Sequence, residues 1–261
     1  AVKKSMGILV ALANIYGARR LLPVISVQIS GVSYDNLGDA GLEFLEEMAS
    51  DGKVRVRTTL NPAGMDMENW KALGIPEDFA KKQVMVIEAF KKMGVEATCS
   101  CTPYLIGNKP GVGEHIAWGE SSAVTYANSV LGARTNKEGG PSTIASALTG
   151  LTPEYGLHLD ENRRPAVLVD VEKIRDPVDY GALGKVLGEA LKGKIPLIRG
   201  IAKAGVDELK SLSASIVTYG GAPIFHIEGI TPEQHQAPAE SIKVTKKDIR
   251  KAIRELNDDV E

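Results

Sequence analysis

Apolar runs of strand type alternate with longer amphipathic stretches along most of this chain, and that alternation limits the fold more than any other feature. Strand-type runs fall at 23–30 (PVISVQIS), 53–60 (KVRVRTTL), 166–172 (AVLVDVE), 195–200 (IPLIRG) and 215–220 (SIVTYG), with a shorter one in VEATCSC (95–101). Between them lie helix-type stretches at 38–50, 76–94, 119–131, 176–193, 204–212 and 245–257, and the N-terminal residues read as an amphipathic helix. The stretch 76–94 is the clearest: Pro76 suits a first turn, Glu77 and Asp78 favour its positive end, and Lys91, Lys92 and Gly94 close it. Thr245 is placed to cap the last helix. Strand–helix alternation favours parallel strands joined by right-handed crossovers. The expectation is an α/β chain: three layers, α/β/α, with mostly parallel sheets. Residues 1–150 would form one α/β region and 151–261 a second, and TPEQHQAPAES (231–241) reads as the nearest thing to a linker.

Charge and composition exclude several classes of function. Hydrophobic residues make up 43% and charged residues 25% of the 261, as in an ordinary globular protein able to bury a full core. A formal net charge of -2 argues against nucleic acid as the main partner, because phosphate backbones reward a basic face. No run reaches the roughly 18 apolar residues of a membrane span. The chain is expected to be cytoplasmic. It starts at Ala1 without a methionine, so the natural chain is expected to start earlier.

Both cysteines, Cys99 and Cys101, sit in one CxC motif. Cysteines one residue apart are poorly placed to bridge each other. They are either reduced thiols or part of a soft-metal or iron–sulfur site.

Ligands of parallel α/β sheets gather where strands end. Five loops at such places carry polar groups. Ser30–Tyr34 offers the backbone freedom of Gly31 and the hydroxyl of Ser33, unless it is an ordinary turn. Thr58–Gly64 holds Asn61 and Pro62, which serve equally well to end a strand. The CxC is the third. Trp118–Ser122 sets Glu120, Ser121 and Ser122 at a helix start, where the serines could simply cap. Gly132–Asn136 presents Arg134, either an anion fork or a solvated arginine. His226, in the run PIFHIEG, reads as a packed histidine. No HExxH, GxSxG or GxxxxGK[ST] occurs, so zincin, α/β-hydrolase and P-loop chemistry lack support.

Taken in order, SGVSYDNLGDAGLEFLE, TLNPAGMD, CTPYLIGN, GEHIAWGESSAVTYANSVLGARTNKEGGPS, YGLHLDENRRP and GGAPIFHIEGITPE resemble the large subunit of the aconitase X family, over almost the whole chain. GESSAVTYANSVLGARTN is the most specific piece. The resemblance implies an aconitase-superfamily fold and a hydro-lyase. Archaeal members of the family dehydrate (R)-5-phosphomevalonate to trans-anhydromevalonate 5-phosphate in a modified mevalonate pathway of isoprenoid biosynthesis, and scarce glutamine beside abundant Lys and Glu leans the same way. Bacterial members include cis-3-hydroxy-L-proline dehydratase. A non-catalytic anion-binding α/β module is the reading from another class.

The family carries an iron–sulfur cluster, taken as 4Fe-4S, held by three cysteines. Cys101, just before Thr-Pro-Tyr, matches one of these ligands, and Cys99 is extra to the motif. Gly31, Val32, Ser33, Asn61 and Pro62 match substrate-binding positions, as do Glu120 and Ser121, which are also the catalytic candidates. The implied substrate is a small phosphorylated hydroxy acid. The implied partner is a small subunit carrying the swivelling domain, giving a heterodimer. The family's remaining cluster cysteines lie beyond the point matched by Glu261, so the chain is expected to be roughly the N-terminal two thirds and inactive by itself.

Overall fold

The computed structural model describes residues 1–258. In chain order the elements are α1 (Val2–Tyr16), β1 (Leu21–Pro23), β2 (Ser26–Ile29), α2 (Tyr34–Asp51), β3 (Arg57–Leu60), α3 (Glu77–Lys92), β4 (Ala117–Trp118), α4 (Ser121–Tyr126), α5 (Gly140–Thr149), β5 (Leu151–Pro153), β6 (Val167–Val171), α6 (Pro177–Leu191), β7 (Pro196–Arg199), α7 (Val206–Gly220), β8 (His226–Ile227), β9 (Ser241–Val244) and α8 (Lys246–Asp258). They form two compact units. The first comprises Ala1–Pro110, Glu114–Glu120 and Thr135–Gly156; the second comprises Gly111–Gly113, Ser121–Arg134 and the chain from Leu157. Among the described residues no helix is long and apolar enough to cross a membrane.

In the first unit β2 lies between β3 and β4, all parallel, while β1 and β5 pair antiparallel. Val27 and Ile29 of β2 and Leu60 of β3 are buried with Leu45 and Met48 of α2, Val86 and Phe90 of α3 and Leu148 of α5. In the second unit the order is β8-β7-β6-β9, again parallel throughout. The chain enters at β6, steps out through α6 and α7 to β8, then returns to the far side of β6 as β9. The α/β class with mostly parallel sheets is therefore the observed one. Thr245 caps α8 as expected: its Oγ donates to Asp248, and the Asp248 amide points back to it.

Several local expectations fail. Residues 215–220 finish α7 instead of forming a strand. Leu209, Leu212, Ser213, Ile216 and Val217 are the buried positions, and their spacing is helical. Residues 53–56 do not pair in the sheet. The amides of Val54 and Arg55 bond to the carbonyls of Met93 and Ala147, and only Arg57–Leu60 is strand. VEATCSC is not a strand either: it makes one bridge, Thr59 to Glu96, and Cys99 at φ 46 breaks its extension. The 119–131 helix divides into α4 and a π-helical turn, Ala127–Leu131, whose Ser129 hydroxyl accepts from the Phe225 amide at 2.8 Å.

The 231–241 segment is no free linker, because Glu233 pairs with the buried Arg163. That guanidinium uses all its N–H groups, on Asn128, Leu157, Ala133 and Glu233. Arg163→Met is expected to lower stability by about 3 kcal/mol, since one partner of a buried pair is left uncompensated. Urea denaturation of both proteins measures it; a loss under about 1 kcal/mol would show that the pair is not sustained in solution.

Candidate functional site

Parallel register brings the predicted loops of the first unit to one edge. Ile29 sits opposite Leu60 and Gln28 opposite Trp118, so extending the register sets Ser30 between Asn61 and Glu120. With strands about 4.8 Å apart, those three backbones span roughly 10 Å. The bonds from the Asn61 amide to Ile29 O at 2.9 Å and from the Gly119 amide to Gln28 O at 2.9 Å fix the alignment past the strand ends.

Each loop has a local reason for its shape. Gly31 sits at φ 73, a left-handed conformation that disfavours side chains. It turns the chain so that Val32 is buried and Ser33 becomes the cap of α2, its hydroxyl accepting from the Asp35 amide at 3.3 Å. Asn61 is held through its Oδ1, which accepts from Gln28 Nε2 at 2.8 Å, and Pro62 follows it away from β3. The same Gln28 amide donates to the Ser100 carbonyl at 2.9 Å, between the two cysteines. Thr98 clasps Leu60 by both its backbone groups at 3.0 Å, and the Ser100 amide donates to Leu60 O. The CxC loop is thereby tied to the end of β3 beside Asn61. Cys101 is exposed, whereas Cys99 is half-buried against the core. Glu120 and Ser121 are both partly buried, at the point where the chain passes from the first unit into the second.

Three buried polar residues bond at or beside these loops, and none was singled out from sequence. Gln28 ties the second loop to the third. Gln83, on the inner face of α3, accepts from the amides of Tyr34 and Gly64 and donates to Val32 O, joining the first loop to the second. Its one sequence cue is position: it falls on the same helical stripe as Ala80, Val86, Ile87 and Phe90. Glu138 is the third. Its amide donates to Trp118 O at 3.0 Å and its carboxylate accepts from Ser142 at 2.7 Å. Burial drives its protonation range upward, against the opposing Ser142 bond. The chain here is thus largely internal, with Thr135, Asn136 and Glu138 all buried. Arg134 is neither a free anion fork nor solvated: in the second unit it binds Asp160 and the His158 carbonyl. The pairing holds the Asp160 carboxyl below its usual range.

Gly64 is where the first two loops meet. A Cβ there would overlap Ser33 Oγ and lie 2.9 Å from Gln83 Oε1. Gly64→Ala is therefore expected to push the loops apart and destabilise the unit by about 1–3 kcal/mol, the range for an overpacked site. Thermal denaturation checks it, and an unchanged midpoint would show that the two loops are not packed together.

The fold and these loops define a parallel α/β protein with polar loops and an exposed thiol gathered at the carboxyl ends of one sheet. The family profile described as aconitase X first domain matches residues 1–161, and the aconitase X second domain matches 165–254. The chain belongs to the aconitase X family. It is 50% identical over 261 residues to the phosphomevalonate dehydratase large subunit of Methanothermobacter thermautotrophicus, covering 98% of this chain and 65% of that protein. The protein of the same name from Methanocaldococcus jannaschii is 48% identical, with 98% and 67% covered. The cis-3-hydroxy-L-proline dehydratase of Pseudomonas aeruginosa is 37% identical, with 98% and 46% covered. The crystal structure of Thermococcus kodakaraensis aconitase X in its holo-form superposes with a TM-score of 0.88 at 48% identity, covering 98% of this chain and 65% of that one. This chain thus spans about two thirds of the length of the phosphomevalonate dehydratase large subunits named here and of that crystal structure.

Proposed function

We propose that this chain is part of the large subunit of a hydro-lyase that dehydrates (R)-5-phosphomevalonate to trans-anhydromevalonate 5-phosphate. What carries this reading is identity of 48–50% across 98% of the chain to phosphomevalonate dehydratase large subunits, against 37% to the hydroxyproline dehydratase. The relatives' names make a small subunit the natural partner.

The strand-end loops support the same reading. The backbone amides of Gly31, Val32 and Ser33, with the Asn61 side chain beyond them, suit the anionic groups of a small phosphorylated hydroxy acid. Pro62 stiffens the turn that carries Asn61. Glu120 takes the role of the carboxylate that orients the substrate hydroxyl and takes up or delivers a proton, and Ser121 offers a hydroxyl beside it.

An iron–sulfur cluster fits this chain only in part. Cys101 has the exposure and soft donor chemistry of a cluster ligand. The chain's two cysteines cannot complete a set of three when Cys99 is turned into the core, so the other ligands are assigned outside this chain. When bound, the cluster would supply a Lewis-acidic iron for the leaving hydroxyl.

The test is anaerobic reconstitution of the natural large subunit with its small subunit, followed by assay on both substrates. Water loss from phosphomevalonate and none from cis-3-hydroxy-L-proline is expected. The reverse preference would move the chain to the hydroxyproline branch. A colourless protein that binds phosphate esters without turnover would make it a binding module.

A further inference from the structure

Beyond β8 the chain turns at Gly229 and brings a second histidine back against the first. The rings of His226 and His235 lie 4.1 Å apart, tilted by 58°. Glu233 stands between them in sequence and beside them in space, its Oε2 3.5 Å from His235 Nε2. One donor atom from each of the three lies within 4.8 Å of the others, and among the described residues they are the one group of three or more histidine, cysteine or acidic side chains so gathered.

The free atoms are the informative ones. His226 is 1% exposed, and its Nε2 meets the Arg163 carbonyl at 2.8 Å. A carbonyl only accepts, so Nε2 carries the hydrogen and Nδ1 keeps its lone pair. That Nδ1 is buried without a hydrogen-bond partner, and so is His235 Nε2. Leaving a buried polar nitrogen unsatisfied costs about 1–3 kcal/mol, so two in one place call for a shared ligand. Glu233 is half-used: Oε1 takes the Arg163 guanidinium and Oε2 faces His235.

We propose that His226, Glu233 and His235 form a binding site for one divalent cation of the zinc class, which clips the 231–235 segment onto the end of β8. Two imidazole nitrogens and one carboxylate oxygen suit zinc-class borderline cations, whereas calcium and magnesium ask for oxygen cages. Three protein ligands leave a fourth position for water, and the partial exposure of Glu233 and His235 gives it access. Arg163 is the positive charge paired with Glu233. Its N–H groups are all engaged and its charge is met by Glu233, so it acts as a support that orients the carboxylate. Neither cysteine belongs to this unit.

Cobalt is the probe. The chelator-stripped chain is titrated with Co²⁺ and back-titrated with Zn²⁺, alongside His235→Gln and a Cys99→Ser/Cys101→Ser double variant. One equivalent of Co²⁺ is expected, with visible d–d bands of nitrogen and oxygen ligation and no sulfur charge-transfer band, displaced by Zn²⁺. The double cysteine variant keeps those bands. His235→Gln weakens the affinity at least about tenfold, and circular dichroism checks that it is folded. Zinc also raises the melting temperature of the parent but not of His235→Gln. Failure of the parent chain to bind Co²⁺ overturns the proposal. So does a folded His235→Gln variant with parental affinity, or binding that disappears with the cysteines.

Discussion

Cys101→Ser is expected to strip the natural protein of its iron, whereas Cys99→Ser leaves it brown and active. The two thiols are one residue apart but face different surroundings. Cys99 packs on the core of the first unit, where it lines a shallow cleft with Met65, Met67 and Ile87. Its backbone, at φ 46, breaks the extended run. A ligand's sulfur must be open to the metal, and of the two thiols Cys101 is the exposed one. Serine at 99 puts a hydroxyl into that apolar contact, so a stability loss of about 1 kcal/mol is expected there, without loss of cluster. Iron and sulfide analysis with a visible spectrum, run anaerobically on both variants, decides it. Iron lost from Cys99→Ser and kept in Cys101→Ser would reverse the assignment.

How much of this was legible beforehand depended on how locally each feature is encoded. Gly31 and Asn61 with Pro62 are punctuation after apolar runs, so their loops could be placed at strand ends from sequence alone, whereas Glu120 reads only as the start of a helix because the two-residue strand before it is too short to show as a run. The parallel register that sets these loops side by side could not, since β2, β3 and β4 come from distant parts of the chain. Gln28, Gln83 and Glu138 were passed over for a related reason. A polar residue that bonds inward has the same local pattern as one facing water, and only burial separates them. The run SIVTYG shows the opposite failure. Its β-branched Ile216, Val217 and Thr218 look like a strand in isolation, yet Leu209 and Leu212 continue the same buried stripe upstream. Arg163 and Glu233 are 70 residues apart, so the 231–241 stretch looked like a linker until the fold joined them.

Glu120→Gln is expected to lower kcat by about 10³-fold with little change in KM, within the range general acid–base groups contribute. Glutamine keeps the length and shape of the side chain and removes only its charge and its ability to exchange a proton. The backbone beneath it has little room to shift. Gly119 is bonded to Gln28, and a Cβ on it would lie 2.6 Å from Ser30 Oγ, so the two loops are packed together at the end of β4. A merely structural Glu120 would reveal itself differently: kcat, KM and the melting temperature would all move, since the loop would loosen as a whole. The measurement is steady-state kinetics on the reconstituted two-subunit enzyme together with a thermal melt. A kcat within about fivefold of the parent would remove Glu120 from proton transfer. A large kcat loss with an unchanged melt would leave the carboxylate as the reacting group, because the register of β2 with β4 would still hold it in place beside Ser30.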